Sequence, residues 1–254
     1  MGTSKGYEPP SSGDWNSLKR QIGMLLNKPE EKREKVVSKF VRAIGSSERF
    51  PFASRPKSVS YGGGKSTSFK SSSARKTVQN VASFFSDINK VGLEEATKSR
   101  DINLENKNID EVKDILIDYF IVPAVDSDTA CASLAIETVM ENLFDDISEE
   151  TELEEFLSNV INTDRAKDLV CGFYENYMYE LFARTFFEDR TKHSNQNDAT
   201  EILDIVKETI HEKISTFQCT NNLKDVNFNS QEGSDFVQGV LKEIMEILEE
   251  EDDV

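Results

Sequence analysis

The sequence predicts an all-α protein, on three observations. Apolar residues recur at spacings of three and four in one segment after another, the period of a helix with a buried face. Alternating apolar and polar runs are few, and no hairpin turn lies between two of them. Pro29, Gly45, Gly92 and Pro123 each stand at the edge of a periodic segment, where a helix breaker belongs. The expected architecture is a single helical bundle of about seven to nine helices, with an extended N-terminal tail and a flexible basic Gly/Ser-rich segment.

Residues 1–14 read as the tail, because Gly2, Gly6, Gly13, Pro9, Pro10 and several serines favour extended or turning backbone. Asp14 is placed to cap a helix that begins at Trp15 and carries Leu18, Ile22, Leu25 and Leu26 on one face. Asn27-Lys28-Pro29 ends that run. A second helix follows Pro29, with Glu30 and Glu31 in its favourable first turn. Its apolar set is Val36, Val37, Phe40, Val41 and Ile44, and Gly45 stops it. Together these two helices make a helical arm over 15–45.

Residues 46–73 contain two prolines, three consecutive glycines, many serines and almost no acid, the composition of a flexible or partner-ordered basic linker. An acidic helical bundle is expected over 74–254. Its first helix carries Val78, Val81, Ala82, Phe85 and Ile88 and closes at Gly92; Leu93–Ser99 reads as a short turn. Ile109, Val112, Ile115, Leu116, Tyr119 and Phe120 form the next face. Residues 128–147 are rich in small side chains early on (Ala130, Cys131, Ala132, Ala135), which lets another helix approach closely. Leu153, Phe156, Leu157, Val160 and Ile161 make a further helix. Residues 165–190 are apolar on nearly all sides, through Leu169, Phe173, Tyr174, Tyr177, Phe182 and Phe186 among others. A helix apolar all round belongs in the middle of a bundle. Two more helices are expected at about 198–217 and 233–250.

Charge is distributed unevenly. The net charge is −17, yet residues 1–80 carry 16 Lys and Arg against 6 Asp and Glu, and residues 81–254 carry 14 against 41. The whole chain is too acidic for a simple nucleic-acid binder, but its first third suits phosphate, an acidic partner or the chain's own acidic body. No run of eighteen apolar residues exists, so no membrane span is expected. The opening MGTSKGYEPPSSGDW lacks the apolar core of a secretory signal. Cys131, Cys171 and Cys219 lie about forty residues apart in apolar helical contexts, which reads as reduced core thiols in a cytoplasmic protein.

Motifs for chemistry are weak. Tyr61-Gly62-Gly63-Gly64-Lys65-Ser66-Thr67 resembles a phosphate loop, but the required first glycine would fall at Val59 and no buried strand precedes it. A flexible basic loop is the better reading. The two histidines, His193 and His211, stand in polar surroundings without metal-ligand spacing, so no metal and no Ser/His/Asp catalysis is expected. Carboxylates are too abundant for any pair to be specific, and the 173–187 aromatics read as core. No enzyme activity and no cofactor of its own is expected for the chain.

The N-terminus has chemistry of its own. Gly2 after Met1 favours removal of the initiator methionine and leaves an unhindered glycine amine. Gly6 stands where N-myristoylation needs Ser or Thr. An α-amine has a pKa of about 7.7–8.0, so a sizeable minority is neutral and nucleophilic near neutrality.

The opening Met-Gly-Thr-Ser-Lys-Gly-Tyr resembles the start of the QatB family, a component of the four-gene Qat anti-phage defence system of bacteria, with Lys5-Gly6 departing from a small or polar pair. Further similarities run in the same order: the Gly/Ser/Arg-rich 62–76 leading into Thr77-Val78-Gln79-Asn80, then Val91-Gly92-Leu93. Last come Tyr179-Glu180-Leu181-Phe182-Ala183-Arg184 and Phe186-Phe187-Glu188. The resemblance implies a non-enzymatic defence protein acting with an ATPase (QatA), a QueC-like enzyme (QatC) and a TatD-like nuclease (QatD). It implies that QatC, using ATP and a 7-deazaguanine, joins the base to the amine of Gly2. Gly2, Thr3, Ser4, Lys5, Gly6 and Tyr7 would enter the partner, with Tyr7 and Trp15 as aromatic anchors at its mouth. The competing reading is a helical scaffold or nucleic-acid-binding adaptor that uses the basic N-terminal third (residues 1–80) on DNA or RNA, with residues 55–76 as the nucleic-acid segment and Lys57, Lys65, Lys70, Arg75 and Lys76 as its cations.

Overall fold

Helix ends fall where the breakers stand. Pro29 occupies the first turn of a helix, where its missing N–H costs nothing. Gly45 caps the end of that helix with φ 138°, a backbone conformation open to glycine and strained for other residues. The computed structural model describes residues 13–52, 71–145, 153–160, 164–190, 196–217 and 226–251. Every regular element among them is helical. In order these are α1 (Gly13–Leu25), α2 (Pro29–Ile44), α3 (Ser46–Arg49), a 3-10 turn (Phe50–Phe52), α4 (Ser72–Val91) and α5 (Leu93–Lys98). Then follow α6 (Ile109–Phe120), α7 (Ser127–Asp145), α8 (Leu153–Asn159), α9 (Asp164–Arg190), α10 (Gln196–Ser215) and α11 (Gln231–Glu249). The fold is all-α. Residues 1–12 and 53–70, which hold most of the expected tail and of the expected linker, lie outside the described residues.

Two short helices are added to those the periodicity marks. Residues 46–52, grouped above with the flexible linker, form α3 and the 3-10 turn. Serine content misleads there, because Phe50 and Pro51 are buried and Ser47 Oγ donates to Glu249 Oε2 at 3.0 Å. Residues 93–98, read as a turn, form α5 with Glu94 and Glu95 in the first turn and Lys98 in the last. That charge order suits the helix dipole.

The chain divides into two compact units. Unit 1 comprises Met1–Ser71, Met178–Phe217 and Lys242–Val254; unit 2 comprises Ser72–Tyr177 and Gln218–Leu241. Helices α9 and α11 each contribute one part to each unit.

In unit 1, α1 packs on α2 and α2 on α10. The C-terminal carbonyls of α11 lack partners within their own helix, as all helix ends do. Glu249 O accepts from Ser38 Oγ at 3.0 Å and from Arg42 Nη2 at 3.4 Å. Glu250 O accepts from Lys213 Nζ at 2.6 Å. Two cations thus sit at the negative end of the helix dipole.

In unit 2, α4 packs against α5, α6, α7 and α8. Its first turn is capped from a distance by the buried Asp128 of α7. Ser73 N donates to Asp128 Oδ2 at 2.8 Å, and Tyr177 OH donates to Asp128 Oδ1 at 2.9 Å. Burial, and then Asp128 itself, push the Tyr177 hydroxyl well above the usual phenol range, so it remains a donor. A second polar network ties the 226–230 turn to α4. Asn229 accepts from Ser83 Oγ at 2.6 Å and donates to both Asp87 oxygens at 3.2 Å. Arg100 donates to Asp87 Oδ2 and lies 5.4 Å over the Phe84 ring. Gly233, in the first turn of α11, is where the helix meets this turn: a Cβ there would stand 2.4 Å from Phe228 Cα.

Two expectations follow. Asp128→Ala removes a helix cap, worth about 1 kcal/mol, and leaves the Tyr177 hydroxyl buried without that acceptor, at about 1–3 kcal/mol. Urea denaturation should therefore show a loss of about 2–4 kcal/mol, and Tyr177→Phe, which keeps the cap, should lose about 0.5–1.5 kcal/mol. Equal losses for the two variants would contradict the capping role. Phe182→Ala in the buried part of α9 should cost about 3–5 kcal/mol by the same measurement.

Candidate functional site

The residues from which function was expected begin at the tail. Gly2, Thr3, Ser4, Lys5, Gly6 and Tyr7 lie outside the described residues. Trp15 lies within them and corrects one expectation. Its side chain is 5 % exposed, so it is a core residue and not an aromatic anchor offered to a partner.

The reason is local. Trp15, Leu18, Ile22 and Leu25 share one face of α1, and all are buried in unit 1. The Trp15 ring meets Phe40 edge-on, with centroids 6.4 Å apart. Phe40 meets Phe182 edge-on at 5.3 Å, and Phe182 stacks on Phe186 at 5.7 Å. Edge-to-face and offset-stacked pairs are the favoured arrangements of aromatic rings. This ladder of four rings fastens the first turn of α1 to α2 and to the C-terminal part of α9. The described residues therefore begin at a fixed base, the first turn of α1.

Part of the basic excess of the first third is matched within unit 1. Arg33 Nη1 of α2 is 2.8 Å from Glu212 Oε2 of α10. Arg42 Nη1 is 3.7 Å from Glu251 Oε1. Lys213 of α10 returns the pattern with Glu34 at 3.8 Å. The arm thus lies on acidic parts of its own unit, one of the alternatives its charge left open.

Of the basic residues considered for nucleic acid, Lys57, Lys65 and Lys70 lie outside the described residues, as does the Tyr61–Thr67 loop. Arg75 and Lys76 are in the first turns of α4, where Lys76 is exposed and Arg75 is half-buried with Nε shielded from solvent. His211 is exposed on α10; His193 and Cys219 are outside the described residues. Cys131 and Cys171 are buried thiols. Among the described residues no group of three or more His, Cys, Asp and Glu converges to hold a metal ion, and no helix is long and apolar enough to cross a membrane.

The Tyr179–Arg184 stretch divides by depth. Leu181 and Phe182 are buried, while Tyr179 and Glu180 are half-buried. Lys207 of α10 lies 5.4 Å over the Tyr179 ring. Burial raises the Glu180 carboxyl above the usual range, and the Lys207 charge opposes that rise. Sequence reasoning missed this grouping, and Asp128 too. Lys207 is far from Glu180 along the chain, so only the packing of α9 with α10 brings them together.

A family model described as "Qat anti-phage system associated protein QatB" matches residues 62–248. The match takes in α4 to α11, including Phe182 and Phe186 of the ladder, and begins after the tail, α1 and α2. No curated protein and no solved structure matches the chain. Since the matched stretch is well over half of an all-helical chain whose motifs pointed the same way, this protein belongs to the QatB family, associated with the Qat anti-phage system.

Proposed function

We propose that this chain is a non-enzymatic component of the Qat defence system that binds the QueC-like enzyme QatC and offers the amine of Gly2 as acceptor for a 7-deazaguanine. The observation that carries the reading is the buried Trp15, which fixes the base of a glycine-led tail to a family member's helical body. QueC-type enzymes use ATP to activate the carboxylate of a 7-deazaguanine for attack by ammonia. In the proposed step the Gly2 nitrogen takes the place of ammonia. Its lone pair forms an amide bond to the activated carboxyl carbon, the activating group leaves, and the nitrogen gives up a proton. ATP and the base belong to the partner. The defence assembly would include QatA and QatD.

The tail's contribution is reach and access. An extended chain spans about 3.3–3.6 Å per residue, so the residues between Met1 and Gly13 could reach roughly 40 Å from the start of α1. With the indole held in the core, Gly2, Thr3, Ser4, Lys5, Gly6 and Tyr7 remain the partner-binding residues of this reading, with Tyr7 as its aromatic anchor. Gly2 and Gly6 have no Cβ to obstruct a narrow channel. The adaptor reading on nucleic acid would need Lys57, Lys65, Lys70, Arg75 and Lys76, none of which the paired Arg33 and Arg42 replace.

Intact mass of the chain co-expressed with the neighbouring Qat genes tests the proposal. The expected result is loss of Met1 and an adduct of the mass of a deazaguanine acyl group. Gly2→Glu and Gly2→Leu should abolish the adduct and phage protection, with helicity and thermal stability almost unchanged because no core contact is lost. A tag inserted after Met1 should do the same. Full protection by Gly2→Glu in the presence of every partner would defeat the reading.

A further inference from the structure

The longest stretch of the chain without a basic side chain starts in α6. From Asp114 to Asp164 there is no Lys, Arg or His, against fourteen Asp and Glu. The same stretch holds four of the six large apolar side chains that are exposed among the described residues. These are Tyr119 (43 % exposed), Val122 (49 %), Val125 (85 %) and Leu134 (46 %).

They belong to one end of the α6–α7 pair in unit 2. Tyr119 and Val122 are three residues apart, across the end of α6. Ser133 Oγ of α7 donates to Val122 O at 3.1 Å, which brings Val122 beside the turn that carries Leu134. Val125 stands in the connection between the helices. Tyr119 is held in place by ring contacts to Phe120 at 5.2 Å and Phe84 at 6.5 Å. Exposed acids stand on the same two helices: Asp114 and Asp118 on α6, Glu141 on α7. From Asp114 to Asp164 the chain carries no cation, and Lys113 just before it lies 3.9 Å from Asp110 of the same helix.

We propose that this surface docks a basic segment of a partner protein that carries apolar side chains of its own. The apolar side chains would gain by leaving water, and the acidic surround would steer a Lys/Arg-rich segment to them and reject acidic ones. A nucleic acid would meet its own charge here. A second copy in a two-fold pair would set the same acids against each other. The proposal rests on the chain acting with partner proteins, as membership of a multi-component system suggests, and not on the Gly2 reading.

The experiment uses the full chain with a photo-cross-linking residue at Val125, co-expressed with the proteins of the neighbouring Qat genes. A cross-link to a Lys/Arg-rich segment of one of those proteins is expected. Two paired variants accompany it, Val122→Glu with Leu134→Glu, and Asp118→Lys with Glu141→Lys. Each should weaken co-assembly at least about tenfold, with helicity and melting temperature kept. High salt should weaken the parent towards the charge-reversed variant. A cross-link to a second copy or to nucleic acid, no cross-link at all, or undiminished assembly of both variants would overturn the proposal. A Gly2→Glu chain that still cross-links but carries no adduct would leave docking intact while acceptor chemistry is lost. Patch variants that receive the adduct in full yield would separate the two in the other direction.

Discussion

Helix α9 has almost no side to give to water, and the rest of the fold answers that constraint. From Leu169 to Phe186 its large apolar side chains are buried, apart from the half-buried Tyr179, so neighbouring helices must cover most of it. Its N-terminal part does this in unit 2 and its C-terminal part in unit 1. Burying tyrosines brings a second demand, because a hydroxyl removed from water needs a partner. Tyr174 OH donates to Val237 O at 2.7 Å, and Tyr177 OH to Asp128. Those two bonds tie α9 to α11 and to α7. Through Asp128 they also tie it to the first turn of α4.

In unit 1 the same constraint fixes the α1–α2 arm. Phe182 needs a cover, Phe40 of α2 supplies it, and Trp15 packs on Phe40 in turn. The α1–α2 arm is therefore held by the core it covers. The family match starts after the arm, so the arm is built on family-matched rings rather than included among them.

Charge is organised on a different principle from burial. The basic arm meets acids at Glu212 and Glu251 and the open carbonyls at the end of α11. Surface pairs of this kind contribute little each, at about 0–1 kcal/mol. Their effect is on what remains available: α2's Arg33 and Arg42 are engaged, while Asp114 and Asp118 of α6 and Glu141 of α7 are exposed.

The sequence by itself determined the helices. Nine of them, from Trp15 onward, are written in the spacing of apolar residues, because a helix presents the same face every three to four residues whatever packs on it. It determined α9's burial too, since an all-round apolar pattern leaves no alternative in water. The Asn108–Glu111 capping box that opens α6 rests on two local bonds between residues three apart, which the apolar spacing does not mark. Tertiary structure alone decided the long-range pairings. That Trp15 serves the core rather than a partner depends on Phe40 and Phe182, which are distant in sequence. That Asp128 caps α4 depends on α7 packing there. The two units likewise interleave segments from across the chain. Periodicity records which face of a helix is apolar, but not which other helix covers it, because that is settled only when many faces compete for the same cover.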